Sequence, residues 1–149
     1  MGDSQPVLDQ VNLVAGDIDA TIAFYRRLGL PVSDSLDDWP PGSGARHVEV
    51  ALGNGLSFEF DNVKSGSVWH GGVRDATRGG PTAVIGFALE SREAVDALYA
   101  ELTGAGAVGR QEPYDAFWGA RYAVVADPDG NDIGLMSPKD LTRRYTPEV

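Results

Sequence analysis

The stretch HVEVALGNGLSFEFD, residues 47–61, sets Glu49 and Glu59 on the two arms of a Gly53-Asn54-Gly55 turn. When Leu52 faces Leu56 across that turn, Val50 faces Phe58 and Val48 faces Phe60 on one surface. The opposite surface then bears His47, Glu49, Ala51, Ser57, Glu59 and Asp61. Carboxylates opposed across a hairpin raise each other's pKa, so one of them is suited to general acid or base work near neutral pH. The same pair is equally an anionic seat for a cationic ligand. The plainer reading is the wet side of a sheet, with His47 paired to Asp61 or to water. In VNLVA the apolar Val11 and Leu13 point to the helix side, which turns Gln10, Asn12 and Val14 toward the polar surface.

Aromatic residues are the second group able to contact a ligand: Trp39 in DDWPPG, Trp69 beside His70 in SVWHGG, and Tyr114, Phe117, Trp118 and Tyr122 in PYDAFWGARY. Flat rings bind planar or cationic groups by stacking and cation–π contact. As core or interface residues Phe117 and Trp118 need no ligand, and His70 reads as a surface loop histidine. The motifs of dinucleotide loops, phosphate loops, nucleophile elbows and zinc-protease helices are missing. DPDGN lacks the spacing and the closing glutamate of a calcium loop and is read as a hairpin turn.

These side chains need elements to position them. DIDATIAFYRRLG has the apolar stripe of a helix, with Ile18, Ile22, Phe24, Tyr25 and Leu28 on it and Gly29 as its stop. SREAVDALYAELTGAGA is a second helix, capped by Ser91, striped by Ala94, Val95, Leu98 and Leu102, and ended by Gly104. The two superpose at an offset of 74, which sets Val11 on Ile85, Leu13 on Phe87, Tyr25 on Tyr99 and Leu28 on Leu102. One residue further along, RHVEVALGNG lies over RYAVVADPDG. Each copy reads strand, helix, an irregular strand and a hairpin, a βαβββ module. Module one spans about 8–61 and module two about 83–137, with a glycine-rich linker at 62–82 and a polar surface tail at 138–149.

In the second copy the surface equivalent to the acidic one holds Val84, Gly86, Ala88, Tyr122, Val124, Ala126, Asp132, Gly134 and Met136. Gly134 interrupts the apolar strand NDIGLM, where glycine costs entropy and packs nothing. Its expected use is to make room for a ligand body. Sheets curling toward one another then enclose a cleft with one charged and one apolar wall.

Composition sets the bounds. The chain has 149 residues, 42% of them hydrophobic, which suits one globular domain or two small halves. It has no cysteine, which removes disulfides, thiolate ligands and a cysteine nucleophile. With 22 acidic against 12 basic residues the formal charge is -10, a field that repels nucleic acid and anionic lipid. No apolar run reaches membrane-spanning length and MGDSQPVLDQ is not a signal peptide, so the expected location is cytoplasmic, with no membrane partner.

VNLVAGDIDATIAFYRRLGLPV in the first copy and YDAFWGARYAVVADPDGNDIGL in the second resemble the vicinal oxygen chelate superfamily. That superfamily includes glyoxalase I, extradiol dioxygenases, fosfomycin-inactivating transferases and bleomycin-binding resistance proteins. The resemblance implies an α+β fold of two tandem βαβββ modules forming a curved mixed sheet around a central cleft. In metal-dependent members each module gives one ligand from its first strand and one from its last. Those places fall at Gln10, Glu59, Val84 and Gly134, of which only Glu59 is a strong ligand and Gln10 can offer an amide oxygen. The resemblance therefore implies a protein without a metal cofactor. The fallback is Mn²⁺, Fe²⁺ or Zn²⁺ on Gln10, His47 and Glu59, with Glu49 nearby. A homodimer is also implied by resemblance.

The leading expectation is a drug-sequestering protein that holds a small cationic or aromatic molecule in a metal-free cleft. Its contact residues are Gln10, Asn12, His47, Glu49, Ser57, Glu59, Trp69, Gly86, Phe117, Trp118, Tyr122 and Gly134. The alternative is a lyase, isomerase or dioxygenase-like enzyme in which Glu59 and Glu49 are catalytic. A third reading is a protein-interaction module.

Overall fold

Residues 5–27, 30–33, 37–71, 83–126 and 131–149 are described by the structure, a computed structural model, apart from the side chains of Phe24 and Arg27. The expected roles of Phe24, Leu28 and Gly29 in the first helix and the DPDG turn at 127–130 fall outside that description. The chain divides into two compact units, one of Gln10–Ala83 with Pro147–Val149 and the other of Val84–Thr146 with the N-terminal residues up to Asp9, so that the start of β1 groups with the second.

The first unit contains β1 (Val7–Ala15), α1 (Ile18–Arg27), β2 (His47–Ala51), β3 (Ser57–Asn62) and α2 (Val63–Trp69). β3 lies between β2 and β1, antiparallel to the former and parallel to the latter. Asp17 starts α1 by accepting the Ala20 N–H at its Oδ1, 3.0 Å away. The helix then buries Ile18 and Ile22 against Val48, Val50 and Phe60, with Leu13, Tyr25 and Phe58 packed at the margin. Phe60 is fully buried. Burying a side chain of this kind stabilises by about 1.5–3 kcal/mol.

The second unit contains β4 (Ala83–Ala88), α3 (Arg92–Gly104), β5 (Gly109–Asp115), β6 (Arg121–Ala126), β7 (Asp132–Met136) and a 3-10 turn at Leu141–Arg143. Its strand order is β4-β7-β6-β5, with β4 parallel to β7 and the remaining pairs antiparallel. Ser91 caps α3 through the Ala94 N–H at 3.0 Å, as its sequence predicts. Val95, Leu98 and Leu102 lie against Leu89, Ala123 and Leu135 in a core of the same design. The fold is α+β.

The repeat is visible in the register. Gln10 pairs with Ser57 and Asn12 with Glu59 in the first unit; Val84 pairs with Asp132 and Gly86 with Gly134 in the second. One sequence expectation needs correction. The linker, expected to be irregular, opens with α2. Asn62 caps that helix, its Oδ1 accepting from the N–H groups of Ser65 at 2.9 Å and Arg46 at 3.1 Å. A seven-residue helix is too short to show periodicity. No helix among the described residues is long and apolar enough to cross a membrane.

Candidate functional site

The hairpin register places the polar side chains as the sequence predicts. His47 pairs with Asp61, Glu49 with Glu59 and Ala51 with Ser57, while Val48 and Val50 turn to the α1 side. Side chains alternate along β1 and β3, so Asn12 and Val14 share the polar face with Glu59 and Asp61. α2 lies on the inner end of that face. Gly66 approaches Val14 so closely that a Cβ there would meet both valine methyls at 3.0 Å, and the Ser65 hydroxyl bonds Asp61.

The face therefore has two parts. At the inner end Asp61 is fully buried and accepts from Asn12 Nδ2 at 2.8 Å, from Ser65 and from His47 Nδ1 at 3.1 Å. At the outer end the Ser57 hydroxyl lies 2.8 Å from Glu59 Oε1 and 3.5 Å from Glu49 Oε1. His47 spans the two, with Nε2 3.6 Å from Glu59 Oε2. Its side chain remains 43% exposed while that of Glu59 is 12% exposed.

The electrostatics follow from this placement. Burial disfavours the His47 imidazolium, but the bond to Asp61 and the charges of Asp61, Glu59 and Glu49 outweigh it and raise the pKa to about 9. Burial would likewise raise Asp61, yet the bonds from His47, Ser65 and Asn12 hold its carboxyl below the ordinary value. Glu59 goes the other way. Desolvation, with Glu49 adding repulsion, lifts it in spite of His47 and of hydrogen bonds from Ser57 and Gln10.

In the second unit Tyr114, Phe117, Trp118 and Tyr122 form one cluster of edge-on rings. Trp118 is 5.0 Å from Phe117 and 5.3 Å from Tyr122, and Tyr122 is 6.3 Å from Tyr114. The Trp118 indole N–H donates to Met136 Sδ at 3.2 Å. Phe117 and Trp118 are half-buried; Tyr122, Gly86 and Gly134 are buried. A Cβ added at Gly134 would stand 2.7 Å from the Tyr122 hydroxyl and 3.2 Å from Val84 Cγ1. The room left by Gly134 is occupied by the protein's own tyrosine, which corrects the expectation that it is kept for a ligand.

The structure gathers Gln10, Asn12, His47, Glu49, Ser57 and Glu59 on one face, and Gly86, Phe117, Trp118, Tyr122 and Gly134 in the second unit. Trp69 does not fit the expected role of ligand contact, because it is only 6% exposed and its ring lies 5.9 Å from that of His70. His70, expected on the surface, is fully buried at the end of α2. Asp61 and Ser65 are structural members of the site that the candidate list lacks. The hairpin pattern already put Asp61 on the polar face; nothing local predicted the helix that brings Ser65 to it.

The family's metal arrangement does not fit these residues. The side chains of Val84 and Gly134 offer no donor atom, and among the described residues no group of three or more His, Asp or Glu side chains is placed to hold a metal ion.

No curated protein sequence matches the chain. Solved structures of similar fold include a hypothetical protein from Bacillus halodurans C-125, with a TM-score of 0.58 at 17% identity, covering 92% of this chain and 97% of that one. Methylmalonyl-CoA epimerase from Mycobacterium tuberculosis gives 0.55 at 17% identity over 94% and 93%. A glyoxalase/bleomycin resistance protein/dioxygenase superfamily member from Vibrio splendidus 12B01 gives 0.52 at 12% identity over 90% and 100%. Likeness at these identities is likeness of fold. The sequence model of one family spans both repeats, matching residues 7–135, and so the chain belongs to the Glyoxalase/Bleomycin resistance protein/Dioxygenase superfamily.

Proposed function

We propose that the protein binds and holds a small organic cation on the polar face of its first unit, as a sequestering protein without a resident metal. The observation that carries this reading is Glu49 directly opposite Glu59 in the ladder, beside a His47 that also faces Asp61. One imidazolium cannot neutralise three carboxylates, so a negative surplus remains even with His47 protonated. Glu59 is nearly dry, which strengthens its attraction for a cation. The chain's charge of -10 adds long-range attraction of the same sign.

The test is a calorimetric titration of benzylammonium against neutral benzyl alcohol, alongside metal analysis of the purified protein. Saturable binding of the cation alone is expected, with a loss of about tenfold or more in Glu59→Gln for one charge-assisted bond. Equal binding of the alcohol, or stoichiometric metal that disappears in Glu59→Gln, overturns the proposal.

One observation favours a second reading, in which Glu59 transfers protons. Its carboxyl is shielded, raised in pKa, and bonded to Ser57 and Gln10 beside an imidazole, an arrangement that suits a general acid or base. Turnover of a carbon acid that is lost in Glu59→Gln would put this reading first.

A further inference from the structure

Resting on that binding site, we infer that the cation it accepts bears N–H hydrogens, as a primary ammonium, amidinium or guanidinium does, and is not a quaternary ammonium. Even beside a protonated His47 the polar face keeps a surplus of carboxylate oxygens, and its outer acids are incompletely served by donors. Glu49 and Glu59 share one hydroxyl, Ser57 Oγ, and a single O–H hydrogen cannot serve both carboxylates fully. The other oxygen of Glu59 has long contacts, from Asn12 Nδ2 at 3.4 Å and His47 Nε2 at 3.6 Å, and Gln10 also donates to this carboxylate.

A separate observation at the inner end points the same way. Asn12 is 4% exposed and gives its amide hydrogens to Glu59 and Asp61, while its Oδ1 has no hydrogen-bond partner among the described residues. A buried acceptor with no donor is destabilising, and positive charge without N–H does not satisfy it. The unserved oxygen belongs to the same amide group that touches Glu59, just beneath the outer acids.

A quaternary ammonium keeps its charge behind methyl groups and would strip water from Glu59 without replacing the lost hydrogen bonds. An ammonium brings three N–H donors, and an amidinium or guanidinium brings a planar fork suited to carboxylates. Directly opposite residues in an antiparallel pair have Cβ atoms about 4.5–5.5 Å apart, a spacing such a fork can bridge with one N–H on each acid.

Benzamidinium, benzylammonium and benzyltrimethylammonium, titrated calorimetrically against wild-type protein and Glu49→Gln, test the inference. The two N–H cations are expected to bind about tenfold or more tighter than the quaternary one, the worth of a charge-assisted hydrogen bond. Glu49→Gln, a change at an exposed strand position, should remove most of benzamidinium's advantage. Equal or tighter binding of benzyltrimethylammonium overturns the N–H requirement and leaves the cation site standing. Binding of none of the three overturns the site itself, and the inference with it.

Discussion

Gly134 and Glu59 occupy equivalent register positions, opposite Gly86 and Asn12, and the different side chains turn one fold position to two uses. Glu59 is a shielded acid under the Ser57 hydroxyl; Gly134 is the floor beneath the Tyr122 hydroxyl. Because a Cβ at Gly134 would meet Tyr122 at 2.7 Å, Gly134→Ala forces the ring to shift. Overpacking of this kind costs about 1–3 kcal/mol, measurable by urea unfolding, and Tyr122→Phe in the same chain should restore part of it. No loss of stability in Gly134→Ala would show that the ring moves freely.

His47 gives a prediction in pH. Its folded pKa of about 9 exceeds the ordinary 6.5, so its contribution is complete below the ordinary value and disappears as pH climbs through 9. Asp61, held below its ordinary 3.8, contributes above that value and loses its share only as pH falls through the depressed pKa. Solvent at the 43% exposed imidazole weakens the gain without changing its sign. Urea unfolding at about pH 6 and about pH 9.5 should show wild type losing more stability than His47→Gln over that rise. Equal losses would remove His47 as the cause.

At the scale of elements, the C-terminal segment does more than lie on the surface. The N–H of Asp140 donates to the Gly119 carbonyl at 3.0 Å, the N–H of Tyr145 to that of Phe117 at 3.0 Å, and the Tyr145 hydroxyl to that of Asp115 at 2.9 Å. Alternate carbonyls of the loop bearing Phe117 and Trp118 are thus served by the tail. Gly119, at φ +93°, lets the Asp140 carbonyl come close. Truncation after Ser137 removes all three bonds. It should destabilise the protein by about 1–3 kcal/mol, at roughly 0.5–1.5 kcal/mol for each bond. The Trp118 indole N–H resonance should broaden or shift as its loop loosens; an unchanged resonance and unfolding midpoint would show that the loop holds its own shape. The tail's polar composition was legible and its attachment was not, since its partners lie some twenty residues or more away and are mostly backbone carbonyls, which the sequence does not mark. α2 was missed for the opposite reason: its signal is local, but one cap and seven residues do not make a period.

Across the whole molecule, the repeat, the two helices with their stripes, the hairpin register and therefore the partners of Glu49, Glu59 and His47 are legible in the residue order alone. Those features depend on short-range rules. A strand's side chains alternate with period two, a turn of known length fixes which residues face each other, and an internal copy confirms the phase. What each face meets is set by the packing of the folded chain. Packing laid α2 over Asp61 and Val14, leaving one end of the polar face buried and the other open, and it put Tyr122 into the space above Gly134. Periodicity says that a side chain points to a given side of a sheet. Whether that side is filled by helix, ring or solvent is set by packing between segments distant in sequence, and there the chemistry of the site is decided.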